Sequence, residues 1–443
     1  MKIKKNTYAE YIKANNYYYC YSYQLGTLVV INEQNIIDGI DLLLNDKYID
    51  VDSTNSIWAK LIENNIVLNA DVDEALMAEY TYQNFFVKKS TLQITAIVTR
   101  NCNFACPYCP QEHVSKKMSQ EVFENLLKLV EHIAQEKKYS QFVISWFGGE
   151  PMLMYEDIVD FCVKANVIAH NNKLKIVYGM TTNGYLLNKE KASVLFELGV
   201  LHYQITLDGT AVSHDKLRKL KNNGCTWNTI WENLCSFSET KYEFDIGIRI
   251  NCAPEIIAES FELIDMISEN LDSRYSIIPY SRNDMGGESD SKIRYCSKFE
   301  SEVIKYELFN YAMDKNVKST HSFKYMKPFS RICTSNDPNF FVLDYDGTLK
   351  KCEAVLDFPK NVVGYLSANG EMIINHEINA AWTVKKQKES CFSCKKYPLC
   401  YGFDCREKIL NRNIIDEECV DDFGLELEYI KKYCEKFLEK VDK

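Results

Sequence analysis

The chain has 443 residues, of which 46% are hydrophobic and 26% charged, so it has ample material for the core of a globular protein with more than one domain. Its formal net charge of -10 argues against nucleic acid as the main partner, because phosphate binding needs a basic surface. No apolar stretch approaches the roughly 18 residues of a membrane-spanning helix, and the start of the chain lacks an apolar signal core. We therefore expect a cytoplasmic protein with no membrane partner.

Residues 1–90 have the pattern of a small recognition module. Two β-rich runs, Tyr17–Tyr23 and Leu28–Asn32, are separated by a turn and predict a hairpin. Apolar residues at helical spacing from Ile36 predict one helix, and a second helix is predicted to begin after Thr54. This order resembles a winged-helix module, whose hairpin edge can hold an extended peptide as an added strand. A packing extension of the next domain accounts for the same pattern.

From residue 91 to about residue 310, short β-branched runs alternate with amphipathic helical stretches. This alternation is typical of βαβ units around a parallel sheet. Six such runs are fewer than the usual eight of a full barrel, so we predict the α/β fold class with a partial (β/α)6 TIM-like barrel. The candidate strands are Leu92–Val98, Gln141–Trp146, Leu174–Met180, Leu201–Leu207, Phe244–Cys252 and Arg274–Pro279.

Cysteine, glycine and polar motifs follow the first four of these strands. Ligands of parallel α/β folds collect at the carboxyl ends of strands. Three thiolates on one short loop are too few for a closed tetrahedral zinc site, and they leave one iron of a four-iron cluster open to a small chelating ligand. The motifs, in strand order, are Cys102-x3-Cys106-x2-Cys109, Gly148-Gly149-Glu150, Thr182-Asn183-Gly184 and Asp208-Gly209.

The three-cysteine loop and the glycine motif together resemble the radical S-adenosylmethionine (SAM) superfamily. Its hallmark is this cysteine spacing with an aromatic residue, here Tyr108, before the last cysteine. The resemblance implies a [4Fe-4S] cluster with S-adenosylmethionine on its open iron. It also implies that Gly148, Gly149 and Glu150 hold the amino group of the cofactor and that the backbone of Tyr108 meets its adenine. A zinc loop remains the alternative from the cysteines alone.

Three further positions match cofactor contacts in the superfamily. Thr206 and Arg218 correspond to a hydroxyl-bearing residue and an arginine that contact the cofactor, and an arginine can take a carboxylate with both prongs of its fork. Ser281, after the sixth strand, corresponds to a position near the adenosine. For Arg218, a surface ion pair with Asp215 is the competing explanation.

The region 311–443 holds a second group of cysteines, too many for one tetrahedral site. Their order resembles the SPASM domain, which carries auxiliary clusters in radical SAM enzymes that modify peptides and proteins. The chain departs from the family by one residue, because four residues separate Cys400 from Cys405 where three are usual. The resemblance assigns Cys391, Cys394, Cys400 and Cys419 to one cluster, and Cys333, Cys352 and Cys405 to another.

The cluster of Cys333 therefore has three matched ligands and resembles one with an open iron. Such an iron can bind a substrate thiolate and hold its sulfur for bond formation. Closure by another side chain such as Cys296, or by a water, is equally compatible with the sequence. Glu353 follows Cys352 at the position where sulfatase maturases carry an aspartate that acts as a base. A solvated surface glutamate is the competing interpretation.

The predicted function is that of a radical SAM oxidoreductase with three [4Fe-4S] clusters. The resemblance implies that it removes a hydrogen from a ribosomally synthesised precursor peptide and forms an intrapeptide crosslink, with a cysteine thioether preferred. Residues 1–90 would bind the leader of that peptide, and a flavodoxin or ferredoxin would supply electrons. The alternatives are carbon-carbon crosslinking, epimerisation and formylglycine formation as in anaerobic sulfatase maturases, and, outside enzymes, an iron-sulfur scaffold protein.

Overall fold

The N-terminal part of the chain contains two three-stranded antiparallel sheets and three helices. The computed structural model describes residues 1–14, 16–87, 89–281, 296–319, 327–384, 388–403, 405, 410, 428–432 and 434. The first elements are β1 (Lys2–Lys5), β2 (Ala9–Ala14), β3 (Tyr17–Ser22), β4 (Thr27–Ile31), α1 (Gln34–Asn45), β5 (Ile49–Asp50), α2 (Ser56–Glu63), β6 (Val67–Asn69) and α3 (Glu74–Val87). The sheets have the orders β5-β1-β6 and β2-β3-β4. The predicted hairpin corresponds to β3 and β4, whereas β2, which completes their sheet, was missed.

This N-terminal module has a hydrophobic core of its own. Ile36, Ile37 and Ile40 form the buried face of α1 and pack with Trp58 of α2. Gly39 leaves room for the indole ring, because a Cβ at that position would lie 2.6 Å from ring carbon Cζ2. The N-terminal module therefore buries side chains between its own helices, in addition to the strand pairing of its hairpin.

Six parallel strands, each followed by at least one helix, form the central sheet. All six predicted strands are present, in chain order from one neighbour to the next. None of the helices in the described part of the chain is long and apolar enough to cross a membrane. The strands are β7 (Thr91–Thr99), β8 (Gln141–Gly148), β9 (Lys175–Thr182), β10 (Val200–Leu207), β11 (Asp245–Cys252) and β12 (Tyr275–Ser281). The helices are α4 (Gln120–Glu136), α5 (Tyr155–Asn172), α6 (Lys189–Glu197), α7 (Ala211–Leu217), α8 (Trp227–Ser238), α9 (Ile257–Asn270) and α10 (Lys298–Asp314).

The two faces of this sheet differ in chemistry. Alternate side chains of a strand point to opposite faces. The face that packs against the helices is apolar and buried, as at Ile94, Ile144, Tyr178, Ile205 and Ile248. The opposite face, which forms the barrel interior, carries Thr95, Ser145, Thr181, Gln204 and Arg249. A full TIM barrel fills its interior with branched apolar side chains, so this polar interior is suited to hold a ligand.

The sheet continues past residue 310, the predicted end of the barrel. β13 (Lys318–Ser319) pairs in parallel with β12, and β14 (Phe340–Leu343) pairs in parallel with β7 at the other side. From β14 the sheet runs on through antiparallel β15 (Thr348–Lys350), β16 (Val362–Leu366) and β17 (Met372–Ile374), followed by α11 (His376–Thr383) and α12 (Tyr397–Cys400). Residues 428–432 are helical, and most of the helix predicted over 424–440 lies outside the described residues. The C-terminal region is thus joined to the barrel by backbone hydrogen bonds.

The N-terminal module also contacts the rest of the chain. Tyr19 and Tyr21 of β3 belong to one apolar cluster with Phe309 of α10 and Leu399 of α12. The module therefore has both features that the sequence allowed, a core of its own and a packing surface for the barrel.

A buried charge network fixes the end of β14 to the end of β7. The Asp344 carboxylate is fully buried and accepts hydrogen bonds from the Arg100 guanidinium and from Lys350 Nζ, the latter at 2.5 Å. Burial alone would raise the pKa of Asp344, but the hydrogen bonds from the two cations hold it below its ordinary value. Arg100 also pairs with the more exposed Asp357 at 2.6 Å. The carboxylate is thus the common partner of two buried cations.

Candidate active site

The loop after β7 brings Cys102, Cys106 and Cys109 into one place. An antiparallel bridge between Phe104 and Leu220 holds the loop against the segment after α7. The three thiols are close enough that ionisation of one opposes ionisation of another, as the pKa of Cys106 reflects for both neighbours. The cysteines that the sequence grouped by spacing therefore share one site.

Gly148 and Gly149 allow the cysteine loop to lie directly against the end of β8. Gly148 has a φ of 136°, and a Cβ there would lie 2.1 Å from the Thr99 carbonyl oxygen. A Cβ on Gly149 would lie 2.2 Å from the Asn101 carbonyl oxygen. Real Cβ atoms do not approach a backbone oxygen this closely, so only glycine fits at these two positions. The glycine motif thus sets the position of the loop that carries Cys102.

The Glu150 carboxylate is buried and engaged within the chain. It accepts hydrogen bonds from the backbone N–H of Met152 at 2.9 Å, the Thr182 hydroxyl at 2.6 Å and the Asn183 N–H at 2.7 Å. Burial raises the pKa of Glu150, and these donors oppose that rise. The carboxylate therefore braces the ends of β8 and β9. Binding of the cofactor amino group by the Gly148-Gly149-Glu150 motif stays a prediction.

The Tyr108 side chain is the centre of a polar group at the strand ends. Its hydroxyl lies within hydrogen-bonding distance of the Asp208 carboxylate, and it accepts from Arg218 Nη1 at 2.8 Å and from Asn251 Nδ2 at 3.3 Å. The Arg218 guanidinium also lies over the Phe104 ring, 5.8 Å from its centre. The cysteine loop is thereby tied to the ends of β10 and β11. The sequence assigned only the backbone of Tyr108 a role.

Burial and one nearby cation set the protonation of the cysteine loop. Burial raises the pKa of Cys102 to about 11 and of Cys106 to about 12, and the positive charge of Arg218 opposes both shifts. Burial also raises the pKa of Cys109. Burial alone would lower the pKa of Arg218, but Tyr108, Cys106 and Asp208 hold it above its ordinary value. A permanent cation therefore lies beside thiols that must lose protons to bind iron.

Polar atoms without a protein partner surround the same loop. Among the described residues, Asp208 Oδ1, His214 Nε2 and Arg218 Nε are buried and make no hydrogen bond. Leaving such a group unpaired costs about 1–3 kcal/mol, so these atoms suit a polar ligand. No three His, Cys, Asp or Glu side chains in the described ranges converge on one metal ion. Three cysteine thiols beside unpaired polar atoms fit a four-iron cluster that has a polar ligand on its open iron.

Comparison with known families decides between these possibilities. A profile of the Radical SAM superfamily matches residues 96–264, a span that begins within β7 and includes the cysteine loop, the glycine motif and Arg218. Residues 96–264 form a radical SAM domain. Membership implies a [4Fe-4S] cluster and S-adenosylmethionine, and Cys102, Cys106 and Cys109 are the residues that would hold the cluster.

The curated relatives include a sulfatase-maturating enzyme and a radical SAM cyclopropyl synthase. A cysteine-type anaerobic sulfatase-maturating enzyme of Clostridium novyi is 23% identical over 335 residues, which cover 70% of this chain and 87% of the relative. The radical SAM cyclopropyl synthase TigE of Paramaledivibacter caminithermalis is 21% identical over 277 residues, 52% of this chain and 57% of the relative. The chain is thus similar in sequence to a sulfatase-maturating enzyme along most of that relative's length.

Solved structures share the fold well beyond the radical SAM domain. The structure of anSMEcpe with bound AdoMet and Cp18Cys peptide has a TM-score of 0.57 at 19% identity and covers 79% of this chain and 98% of its own. Streptococcus suis SuiB has a TM-score of 0.52 at 12% identity over 92% of this chain and 97% of its own. The predicted fold class, a partial barrel between an N-terminal module and a SPASM region, is confirmed, as is the resemblance to such enzymes.

The remaining predicted cofactor positions of the radical SAM domain lie at the same end of the barrel. Thr206 is buried on the interior side of β10, opposite Arg249 of β11. Asp215 caps α8 by accepting from two backbone N–H groups, and Arg218 is directed to Tyr108, so the surface ion pair between them does not form. Ser281 is the last residue of β12. Contact of these residues with the cofactor stays a prediction.

His214 makes the stability of the radical SAM domain depend on pH. Burial lowers the pKa of His214 to about 3, and its Nδ1 accepts the Asp208 N–H at 3.3 Å, so the ring is neutral in the fold. The unfolded chain binds more protons below pH ~6.5, and stability is therefore lost as pH falls from there toward the folded pKa. We expect a loss of about 2 kcal/mol between pH ~7 and pH ~5 from this residue.

Denaturant unfolding at several pH values tests this dependence on His214. The His214→Asn variant keeps an acceptor for the Asp208 N–H but cannot titrate, so its stability should fall less steeply with acid than that of the wild type. His376→Asn, at an exposed position, is the matched control and should keep the wild-type slope. Equal slopes for all three proteins would contradict the assignment.

Glu353 lines a cavity of about 260 Å³ inside the barrel. Thr95, Ser145 and Thr181 of three neighbouring strands line the same cavity. Glu353 is accessible to solvent there but is surrounded by protein, which raises the pKa of its carboxylate, while the charge of Arg249 opposes the rise. Glu353 is exposed, as the solvated-surface interpretation expects, and its place at the cavity is also compatible with a base that faces the barrel interior, so its role stays a prediction.

The structure brings some of the C-terminal cysteines close together and leaves others apart. Cys352 and Cys333 lie close enough for their charges to interact, and burial raises the pKa of Cys352 to about 12. Cys296 lies instead beside β11, where its thiol is 3.6 Å from the Cys252 carbonyl oxygen. Cys391, Cys394 and Cys400 are half-buried around α12, Cys405 is exposed, and Cys419 lies outside the described residues. Their grouping into two clusters stays a prediction.

Two residues near the site were missed in the sequence. Asn251 contacts Tyr108, and Arg249 acts on Glu353. Both lie in the carboxyl half of β11 on the interior face. The period-two pattern of that strand, with isoleucines at the intervening positions, could have identified them.

Proposed function

We propose that this radical SAM enzyme modifies a ribosomally made precursor peptide in the cytoplasm and closes an intrapeptide thioether from a cysteine. The observation that carries the proposal is the polar cavity inside the barrel, which is lined by Glu353, the residue that follows Cys352 in the chain. A free radical needs a closed, shaped site, and a cavity within the barrel can hold one residue of an extended peptide.

The bound groups and the protein have separate tasks in this reaction. When bound, S-adenosylmethionine and the cluster of the cysteine loop supply a radical that takes a hydrogen atom, and the two auxiliary clusters supply a one-electron acceptor. Tyr108, Arg218 and Asp208 fix the loop and bind the polar end of the cofactor. The threonine and serine side chains of the cavity orient the peptide backbone. Glu353 accepts the thiol proton as the carbon-sulfur bond closes.

The N-terminal module is the proposed docking site for the peptide leader. Among the described residues, the sheet β2-β3-β4 has two edge strands, and an edge presents backbone groups to which an extended peptide can add. Fold similarity supports this role, because SuiB has been solved bound to its precursor peptide SuiA, with a TM-score of 0.51 over 93% of this chain. Flavodoxin or ferredoxin is the proposed electron donor.

Formylglycine formation is the second candidate. It is favoured by the 23% identity with the Clostridium novyi sulfatase-maturating enzyme over most of that relative's length. Glu353, in place of the aspartate expected for a sulfatase maturase, weighs against it. In this reaction a cysteine of a protein substrate loses its sulfur, so the product differs in elemental composition from a crosslinked peptide.

Mass spectrometry of the peptide tests the two candidates. The anaerobically reconstituted enzyme is incubated with S-adenosylmethionine, a reductant and a cysteine-bearing precursor peptide. A thioether predicts loss of two hydrogens and a cysteine that no longer reacts with iodoacetamide. Loss of sulfur would indicate formylglycine, and loss of two hydrogens with a reactive thiol a carbon-carbon link. Unchanged mass while 5′-deoxyadenosine accumulates would contradict both candidates.

Glu353→Gln should lower the rate of peptide modification by about 100-fold, since general bases contribute factors of this order. Because the pKa of Glu353 lies above the ordinary 4.5, the wild-type rate should fall with acid at a higher pH than for a free glutamate, and Glu353→Asp should keep part of the rate. Rates are measured by quantifying modified peptide across pH. If Glu353→Gln retained both the rate and the acid limb, Glu353 would not be the base.

A further inference from the structure

Arg249 places a guanidinium in the barrel interior, where no carboxylate of the described residues forms an ion pair with it. Its Nε donates to Asn251 Oδ1 at 2.8 Å, and its guanidinium carbon lies 3.7 Å from the centre of the Tyr280 ring. In the part of the chain that the structure describes, the two terminal nitrogens have no hydrogen-bond or ion-pair partner. The side chain is half-buried, so water does not fully surround the charge.

The two contacts of Arg249 fix the plane of its fork. Stacking on Tyr280 restricts tilt, and the bond from Nε to Asn251 restricts rotation within the plane. Both terminal N–H edges are left for a ligand. An arginine held in this way is prepared to bind a planar anion with two parallel hydrogen bonds, and it loses little conformational entropy in doing so.

Arg249 lies near both a predicted cofactor position and the cavity. It pairs in register with Thr206 of β10, a predicted cofactor position, and its charge acts on Glu353 at the cavity. Through Asn251 it is also connected to the Tyr108 hydroxyl on the cysteine loop. Arg249 therefore lies between the cofactor end of the barrel and the cavity.

Glu353 does not satisfy this cation. Its carboxylate is within electrostatic range of Arg249, yet the described residues show no ion pair between them. A partly buried cation without a counter-charge is unfavourable in the free protein, and an anionic ligand would relieve it. The polar but otherwise mainly uncharged lining of the interior leaves Arg249 as the group that would select such a ligand.

We propose that Arg249 binds the carboxylate of an aspartate or glutamate side chain in the substrate peptide, next to the residue that is modified. The proposal rests on the proposed function, since it names the chemistry of the peptide that enters the barrel. Arg249 acts as a specificity and positioning residue. The carboxylate of S-adenosylmethionine is the competing ligand, and the experiment separates the two.

Two synthetic peptides test the proposal without turnover. Both are acetylated and amidated pentapeptides with a central cysteine, and they differ only in a glutamate or a glutamine after it. Binding to the full-length reconstituted enzyme with S-adenosylmethionine is measured by calorimetry without reductant. We expect the wild type to bind the glutamate peptide about 10-fold more tightly, the order of one charged hydrogen-bonding contact.

Variants then show which residue causes the preference for the glutamate peptide. Arg249→Gln should remove it while S-adenosylmethionine affinity stays within about twofold, which also shows that the variant folds. Arg249→Lys should keep part of it, because lysine is a point charge without a fork. Arg274→Gln is the matched control, since Arg274 also stacks on an aromatic ring, Phe244, at 4.2 Å. It should keep the full preference.

Three results would overturn the proposal. They are equal binding of the two peptides by the wild type, a preference that persists in Arg249→Gln, and a loss of S-adenosylmethionine affinity in Arg249→Gln with the peptide preference intact. The last result would assign Arg249 to the cofactor. Because binding is measured without reductant, failure of the proposed crosslinking would appear only in the mass experiment and would leave this result readable.

Discussion

Gly149→Ala should abolish 5′-deoxyadenosine formation and leave the enzyme without its full iron content. The added methyl group would lie 2.2 Å from the Asn101 carbonyl oxygen and 3.0 Å from that of Arg100, and neither backbone can yield without moving the loop that begins at Cys102. Overpacking of this kind costs up to about 3 kcal/mol. Because the cysteine loop is the displaced part, the effect on cluster binding should exceed the effect on global stability.

Iron and sulfide analysis after anaerobic reconstitution, together with chromatography of 5′-deoxyadenosine, measures this effect. Gly179→Ala on β9 is the matched control. Its methyl group would meet the Ser145 hydroxyl at 3.2 Å, and a serine side chain can rotate away. The control should keep its iron content and its formation of 5′-deoxyadenosine. A Gly149→Ala enzyme with normal iron content would contradict the close approach of the loop to β8.

Asp344→Ala should destabilise the protein by about 3–5 kcal/mol, the cost of leaving buried cations without their partner. Arg100 and Lys350 both donate to this carboxylate, and neither is exposed enough for water to replace it. Since Asp344 follows β14 and Arg100 follows β7, the loss should fall on the junction between the barrel and the C-terminal region. Backbone amides of β14 should then exchange with deuterium faster than those of β9.

Denaturant unfolding of the reconstituted protein measures the stability of Asp344→Ala, and hydrogen exchange locates the loss. Asp160→Ala removes an exposed carboxylate paired with Lys164 at 2.6 Å and should change stability by no more than about 0.5 kcal/mol. If both variants were equally stable, the network around Asp344 would not hold the junction. If exchange rose equally in β9 and β14, the effect would not be local.

The six barrel strands could be predicted because each is a short β-branched run with a helical stretch after it. The cysteine loop could be predicted because its ligands are close in sequence. The pairing of β14 with β7 could not, since about 250 residues separate the strands and β14 is only four residues long. The hydrogen bonds of the Glu150 carboxylate and of the Tyr108 hydroxyl could not be predicted either, because they depend on which strand ends become neighbours.

The sequence placed the auxiliary cysteines near the radical chemistry, and the register of β14 and β15 refines that placement. Lys350 lies opposite Val342, which in turn lies opposite Thr95, so Cys352 falls near the amino end of β7. The Cys102 loop falls at the carboxyl end of the same strand. The separation is about 20 Å at the rise of a β-strand. One end of the cavity therefore faces Cys352, and the opposite end faces the Cys102 loop.

Because β14 shares a hydrogen-bond ladder with β7, the distance between the two cysteine sites is set by the sheet itself. In the part of the chain that the structure describes, Cys352 follows the last residue of β15 by two positions, so its place is set by the sheet. In the proposed reaction, an electron that leaves a substrate in the cavity would cross about half the strand length toward either end, and this span would not change from one turnover to the next. The barrel wall would therefore hold the electron-transfer distance constant in the proposed reaction, and the C-terminal region would need no docking motion.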